Sequence, residues 1–248
     1  MDPRLALTIL SAAAQVFAFS RLLTRGTYKT YPWFAAYLLV GAAQSFVWLA
    51  GPPESRGYLN AYRWTMPVIL AFQYLVVLEL WRRLMACYRG IHHVSHGLGI
   101  AIVVVAMALS FSTGFDGLKM WGHSVSSMTF HWLIWGARYS ASMLCIACAL
   151  LALWASAFDH GVPVNTIRHA RLLSGYFGSV AVGLLIVNLA PGSAVVVGAF
   201  MTGASVAFYV LWATVLDAKG QVPIERLIAP QRCASKPLPW VIRRFMPY

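Results

Sequence analysis

Acid is scarce in this chain. Seven Asp and Glu stand against nineteen Lys and Arg, and charged residues fill only 10% of 248 positions. A soluble domain carries about 25% charged residues. This chain has too few to cover a water-facing surface, whereas lipid can solvate it. No polar stretch is long enough for a separate soluble domain. Familiar chemical signatures are missing too: there is no His-Glu-x-x-His metalloprotease motif and no phosphate-binding Gly-rich loop. Proton and ion pathways usually carry several acids inside the membrane, and here Glu79 is the one acid clearly within an apolar run. The last such run holds no lysine before Lys219, so a retinal protein lacks its attachment point. The cysteines number four and form no disulfide framework. Cys145 and Cys148, one helical turn apart in an apolar run, read as packed small hydrophobes. Cys87 and Cys233 fall in basic segments. No cofactor is expected: a bis-His haem needs two well-placed intramembrane histidines, and only His131 fits.

What is present is apolar length. Hydrophobic residues make up 60% of the chain and the mean hydropathy is +0.68. A span needs about 20 apolar residues, each adding about 1.5 Å across a core about 30 Å thick. Backbone groups in lipid must bond internally, so each span reads as a helix. The runs fall at residues 5–23, from Pro32 to just before Gly51-Pro52-Pro53, and at 62–85, 97–111, 128–158, 171–190 and 193–216. The fourth is the shortest, and the fifth is long enough to tilt or protrude. Pro191-Gly192 splits the last hydrophobic stretch into a tight hairpin of two helices. The expected fold is therefore all-α, a polytopic bundle of about seven transmembrane helices over residues 1–220 with a Pro-rich basic tail at 221–248. The tail's aromatic and basic mixture suits a membrane surface, or else the tail is simply solvated.

Charge placement predicts the orientation. Arg21, Arg25, Lys29, Arg82, Arg83, Arg89, Arg168, Arg171, Lys219, Arg226, Arg232, Lys236, Arg243 and Arg244 follow the odd-numbered spans or lie in the tail. Arg4, Arg56, Arg63 and Lys119 fall on the other side. The positive-inside rule then puts the N-terminus outside and the C-terminus in the cytoplasm of a multi-pass inner-membrane protein. The first run is expected to be a retained helix, because its basic residues follow the apolar stretch, the wrong polarity for a signal peptide. A pI near 10.0 can mean nucleic-acid binding, but basic residues at the ends of apolar runs point to anionic lipid headgroups instead. The expected partners are membrane lipids and other membrane subunits, with no nucleic acid.

Polar residues inside spans are the candidates for function. Arg138 lies about 15 Å into the fifth span, near the midplane. Gln15, Gln44, Gln73 and Tyr74 fall at similar depth in the first three spans, and Thr202 and Ser205 in the seventh. A cationic centre ringed by amides would hold a carboxylate, a phosphate or a polar lipid group. The simpler reading is interhelical hydrogen bonding. Glu79 is expected to pair locally with Arg82 and Arg83 at i+3 and i+4. His92, His93 and His96, and likewise His160 and His169, read as solvated basic loops, although His93 and His96 have a spacing that suits metal binding.

One pattern is familiar. The segment from Arg21 through Arg25, Tyr28, Tyr31-Pro32, Phe34 and Tyr37, followed by Glu79-Leu80-Trp81-Arg82-Arg83 and Tyr88, resembles a group of uncharacterised bacterial seven-helix membrane proteins. The resemblance covers mainly residues 21–88 and implies no activity or cofactor. Three functions are compatible with these features. The first is a non-catalytic subunit or scaffold of a larger assembly. The second is a ligand-sensing receptor with a midplane pocket around Arg138, and the third a lipid-handling enzyme or transporter.

Overall fold

The computed structural model describes residues 3–49, 56–86, 97, 100, 101, 104, 125–157 and 162–216. Among them no strand occurs. The long helices are α1 (Pro3–Thr24), α2 (Pro32–Leu49), α3 (Arg56–Met85), α4 (Val125–Ala157), α5 (Val164–Leu189) and α6 (Ala194–Val215). Five apolar stretches of these helices are long enough to cross a bilayer: Leu5–Thr24, Asn60–Met85, Tyr139–Ser156, Val164–Val187 and Ala194–Val215, with Pro32–Val47 shorter. The chain is an integral membrane protein built as an all-α bundle. Of the fourth expected span, only Gly97, Ile100, Ala101 and Val104 are described, all helical and exposed. The rest of that span, the tail, Cys87, Cys233, His92, His93, His96, His123 and His160 lie outside the described residues.

Each long helix packs on the next in chain order, and α6 returns to α1, so the six close a ring. α3 also touches α5 across it. Small residues permit the close approaches. Ala12, Ala14 and Ala18 of α1 and Ala35 and Ala42 of α2 are buried. A Cβ on Gly175 would meet the Phe208 ring at 2.8 Å, and one on Gly178 would meet Cys145 Sγ at 3.3 Å. Cys148 is fully buried, so the Cys145/Cys148 pair packs the α4–α5 contact.

The arginine-rich ends gather at one end of the ring. Gly26, at φ 67, ends α1 in the left-handed conformation that glycine adopts without strain. Arg25 Nη1 then donates to the carbonyl of Leu216, and Arg168 Nη1 to that of Val215 at 3.4 Å. Two guanidinium groups thus meet the partial negative charge at the end of α6. Arg171 Nη2 donates to Ser156 Oγ at 3.0 Å, joining the end of α4 to the early turns of α5. At the other end, Ser193 Oγ donates to the Ala190 carbonyl at 2.7 Å and closes the expected α5–α6 hairpin.

Two expectations about boundaries are corrected. α5 begins at Val164, well before residue 171, because Thr166 N–H donates to the Pro163 carbonyl and opens the helix among polar residues. His169 is therefore helical and fully buried, not part of a solvated loop. α3 likewise starts at Arg56 instead of 62. Apolar content marks what lies in lipid, whereas backbone hydrogen bonding continues a helix beyond it.

Candidate functional site

A buried polar cluster lies where α2 begins, α3 ends, α5 begins and α6 ends. Its first element is Tyr31-Pro32. Pro32 suits the first helical position because it lacks the N–H that would be orphaned there. Of the donors that follow, Phe34 N–H donates to Glu79 Oε2 of α3 at 3.3 Å, and Trp33 N–H is hydrogen-bonded to the same carboxylate. A carboxylate from another helix thus caps α2, favoured also by the positive end of the helix dipole. Glu79 does interact electrostatically with Arg83 and, less, with Arg82, as its local spacing predicts. Capping α2 is a role that spacing gave no sign of.

Arg83 is buried, and its guanidinium sits 4.7 Å above the Tyr31 ring, a cation–π geometry. The Tyr31 hydroxyl is hydrogen-bonded with the Thr166 side chain, and burial pushes its pKa above the ordinary phenol value. The segments Tyr31-Pro32-Trp33-Phe34 and Glu79 to Arg83 therefore pack directly on each other.

His169 of α5 fills the centre. Its ring lies 4.9 Å from Tyr31, 4.7 Å edge-on from Phe34 and 6.0 Å from Trp212 of α6, centroid to centroid. Neither imidazole nitrogen has a hydrogen-bond partner among the described residues, and neither does Trp212 Nε1. Deeper in the ring, the Tyr37 hydroxyl lies 2.7 Å from that of Tyr176 and 3.4 Å from that of Tyr209. Gln73 also bonds Tyr37. The phenols link α2, α5 and α6, and Gln73 adds α3.

Of the expected midplane residues, Gln44 and Tyr74 pair with side chains of neighbouring helices. Gln44 Nε2 donates to Thr65 Oγ1 at 2.9 Å, and Tyr74 donates to Ser140 Oγ at 3.0 Å. Gln73 turns to the tyrosine group. Gln15 is buried against Gly41, with its Oε1 2.9 Å from where a Cβ would stand, and that oxygen has no partner among the described residues. Thr202 and Ser205 donate to carbonyls of their own helix, Gly198 and Met201. Arg138 belongs to α4, but its side chain lies outside the described residues, as does that of His131.

Residues that sequence reasoning missed include Tyr31, Phe34, Asn165, Thr166, His169, Tyr176 and Trp212. A signal existed for α5. Asn165, Thr166, His169, Ala170, Leu173, Tyr176 and Phe177 are all buried, and they recur at helical spacing. Chemically the cluster offers a carboxylate that caps α2, a guanidinium stacked on a phenol ring, an imidazole and further phenols. Compared with known protein families, characterised proteins and solved structures, the chain has no match.

Proposed function

We propose that the chain is a non-catalytic subunit or scaffold of a larger membrane assembly, and that α6 meets the partner. One observation carries this reading. Gly41, Gly175 and Gly183 each lie where a neighbouring helix leaves little room for a side chain, whereas Gly198 and Gly203 of α6 have nothing within 4 Å of a notional Cβ. Ala199, Gly203 and Ala207 follow at four-residue spacing on the exposed face of α6. A glycine within a helix costs about 1 kcal/mol relative to alanine, and no contact among the described residues offsets it here. Rows of small residues are how helix backbones approach in lipid. Burial supports the same reading, at 11% of the α6 window against 28–39% for the other four long spans. In lipid nanodiscs the wild-type protein should be found with a stoichiometric partner or a second copy. Gly203→Ile should release it without lowering its unfolding temperature. A wild-type protein that is monomeric and alone in native lipid would overturn this reading.

The same reading includes seven crossings, an external N-terminus and a cytoplasmic C-terminus in an inner membrane. Charge bias supports the sidedness. The count is supported by the apolar run at residues 97–111, which adds a seventh hydrophobic stretch to the six long helices. Cysteines replacing Ser55 and Ser235 should label from opposite faces, and labelling of both from one face would sink the topology. A second reading, a ligand-sensing bundle with a midplane site at Arg138, draws on the buried Oε1 of Gln15, which has no partner among the described residues. It predicts that Arg138→Leu releases a copurifying small molecule whereas Arg56→Leu does not. Equal retention in both variants would end it.

A further inference from the structure

We propose that a water molecule is bound between the His169 imidazole and the Trp212 indole as a fixed part of the bundle. The two side chains are 0% and 1% exposed, and their three ring nitrogens have no hydrogen-bond partner among the described residues. Buried polar atoms in native proteins are nearly always satisfied by protein or by ordered water. A direct bond is not made: the rings are 6.0 Å apart, centroid to centroid, and tilted by 58°.

The hydrogen-bonding character of the two rings selects the ligand. Indole offers one donor and no acceptor, whereas a neutral imidazole offers one of each. The bridging molecule must therefore accept from Trp212 Nε1–H and donate to the unprotonated nitrogen of His169. Water does both, and an anion or a metal cation does only one. Charge gives no reason for an ion either. The ionisable groups packed here are Glu79 and Arg83, both from α3, which interact with each other. The remaining ring neighbours, Tyr31, Phe34, Tyr176, Phe208 and Tyr209, carry no fixed charge.

Depth makes the exchange of such a molecule feasible. His169 is about 8 Å and Trp212 about 5 Å from the nearer helix ends, so the site lies close to the arginine-rich face. The water would extend the polar interior from the Glu79–Arg83 end towards the hydroxyls of Tyr37, Tyr176 and Tyr209, since the Tyr176 ring lies 5.8 Å from that of Trp212.

The test is nuclear magnetic resonance on the full chain in nanodiscs with 15N-labelled tryptophan. The Trp212 indole resonance is assigned by its loss in Trp212→Phe. Magnetisation transfer from water to the Trp212 indole proton is expected in the wild type and should be lost in His169→Phe. The unfolding temperature of His169→Phe should fall, because the water loses a partner. Absence of transfer in the wild type would overturn the proposal whatever the variants do. So would transfer that persists unchanged in His169→Phe, or a His169→Phe protein that unfolds at a higher temperature, as expected if a dry, orphaned imidazole had been replaced by an apolar ring.

Discussion

Glu79→Leu removes the cap of α2 and tests the central feature of the cluster. The carboxylate is buried and accepts from Phe34 N–H at 3.3 Å. A hydrogen bond to a charged group contributes about 1.5–3 kcal/mol net. The charge at the start of α2 adds about 0.3–1 kcal/mol through the helix dipole. Together these give a loss of about 2–4 kcal/mol, before any cost of leaving Arg83 without its opposite charge. For a chain of this size each kcal/mol moves the midpoint by about 2–4 °C, so Glu79→Leu should unfold roughly 4–16 °C below the wild type. Thermal unfolding in a mild detergent, followed by far-ultraviolet circular dichroism, measures this. Glu79→Gln separates the terms, because an amide oxygen still accepts from Phe34 while the charge is gone. It should fall between the two. Arg83→Leu combined with Glu79→Leu should cost less than the sum of the single changes, since neighbouring charges couple. A Glu79→Leu protein as stable as Trp64→Leu, whose side chain is 80% exposed, would refute the capping argument.

Other changes report on the remaining contacts. Gly175→Ala places a Cβ 2.8 Å from the Phe208 ring and should destabilise by about 1–3 kcal/mol through overpacking. Gly203→Ala, in open space, should be neutral or gain up to about 1 kcal/mol. Equal unfolding temperatures for the two would contradict the described α5–α6 packing. Tyr37→Phe removes the hydroxyl 2.7 Å from that of Tyr176 and should cost about 1–3 kcal/mol by leaving buried phenols short of a partner. An unchanged midpoint in denaturant titration would show that the tyrosine group contributes only packing.

The six long helices described were legible in the sequence because lipid imposes a length that composition records directly. Pro32 announced the start of α2, and Pro191-Gly192 announced the α5–α6 turn, each through a local constraint on the backbone. Helix ends were less legible. Arg168 reads as loop charge and Arg171 as the first residue of a span, yet α5 already includes both well inside its start. Long basic side chains reach the interface from inside a helix, so their presence does not mark where a helix stops. That misplaced start hid His169, whose place on the buried stripe of α5 was otherwise open to view at helical spacing.

The contact between Glu79 and Phe34 could not be read locally, because it joins residues 45 positions apart. Depth arithmetic also had a limit of a physical kind. It groups polar residues by level, but level alone does not say which helices are neighbours. In the ring, α1 borders α2 and α6, and α4 borders α3 and α5. Gln44 and Tyr74 accordingly bond to adjacent helices, to Thr65 and Ser140. The arginines show a related overlap of roles. Counted along the sequence, Arg25 and Arg168 are votes for one side of the membrane. In the bundle they also supply donors to the last carbonyls of α6, which lipid would leave unsatisfied. Sidedness and helix termination thus draw on the same two guanidinium groups, so removing either charge should weaken the end of α6 even where the topology survives.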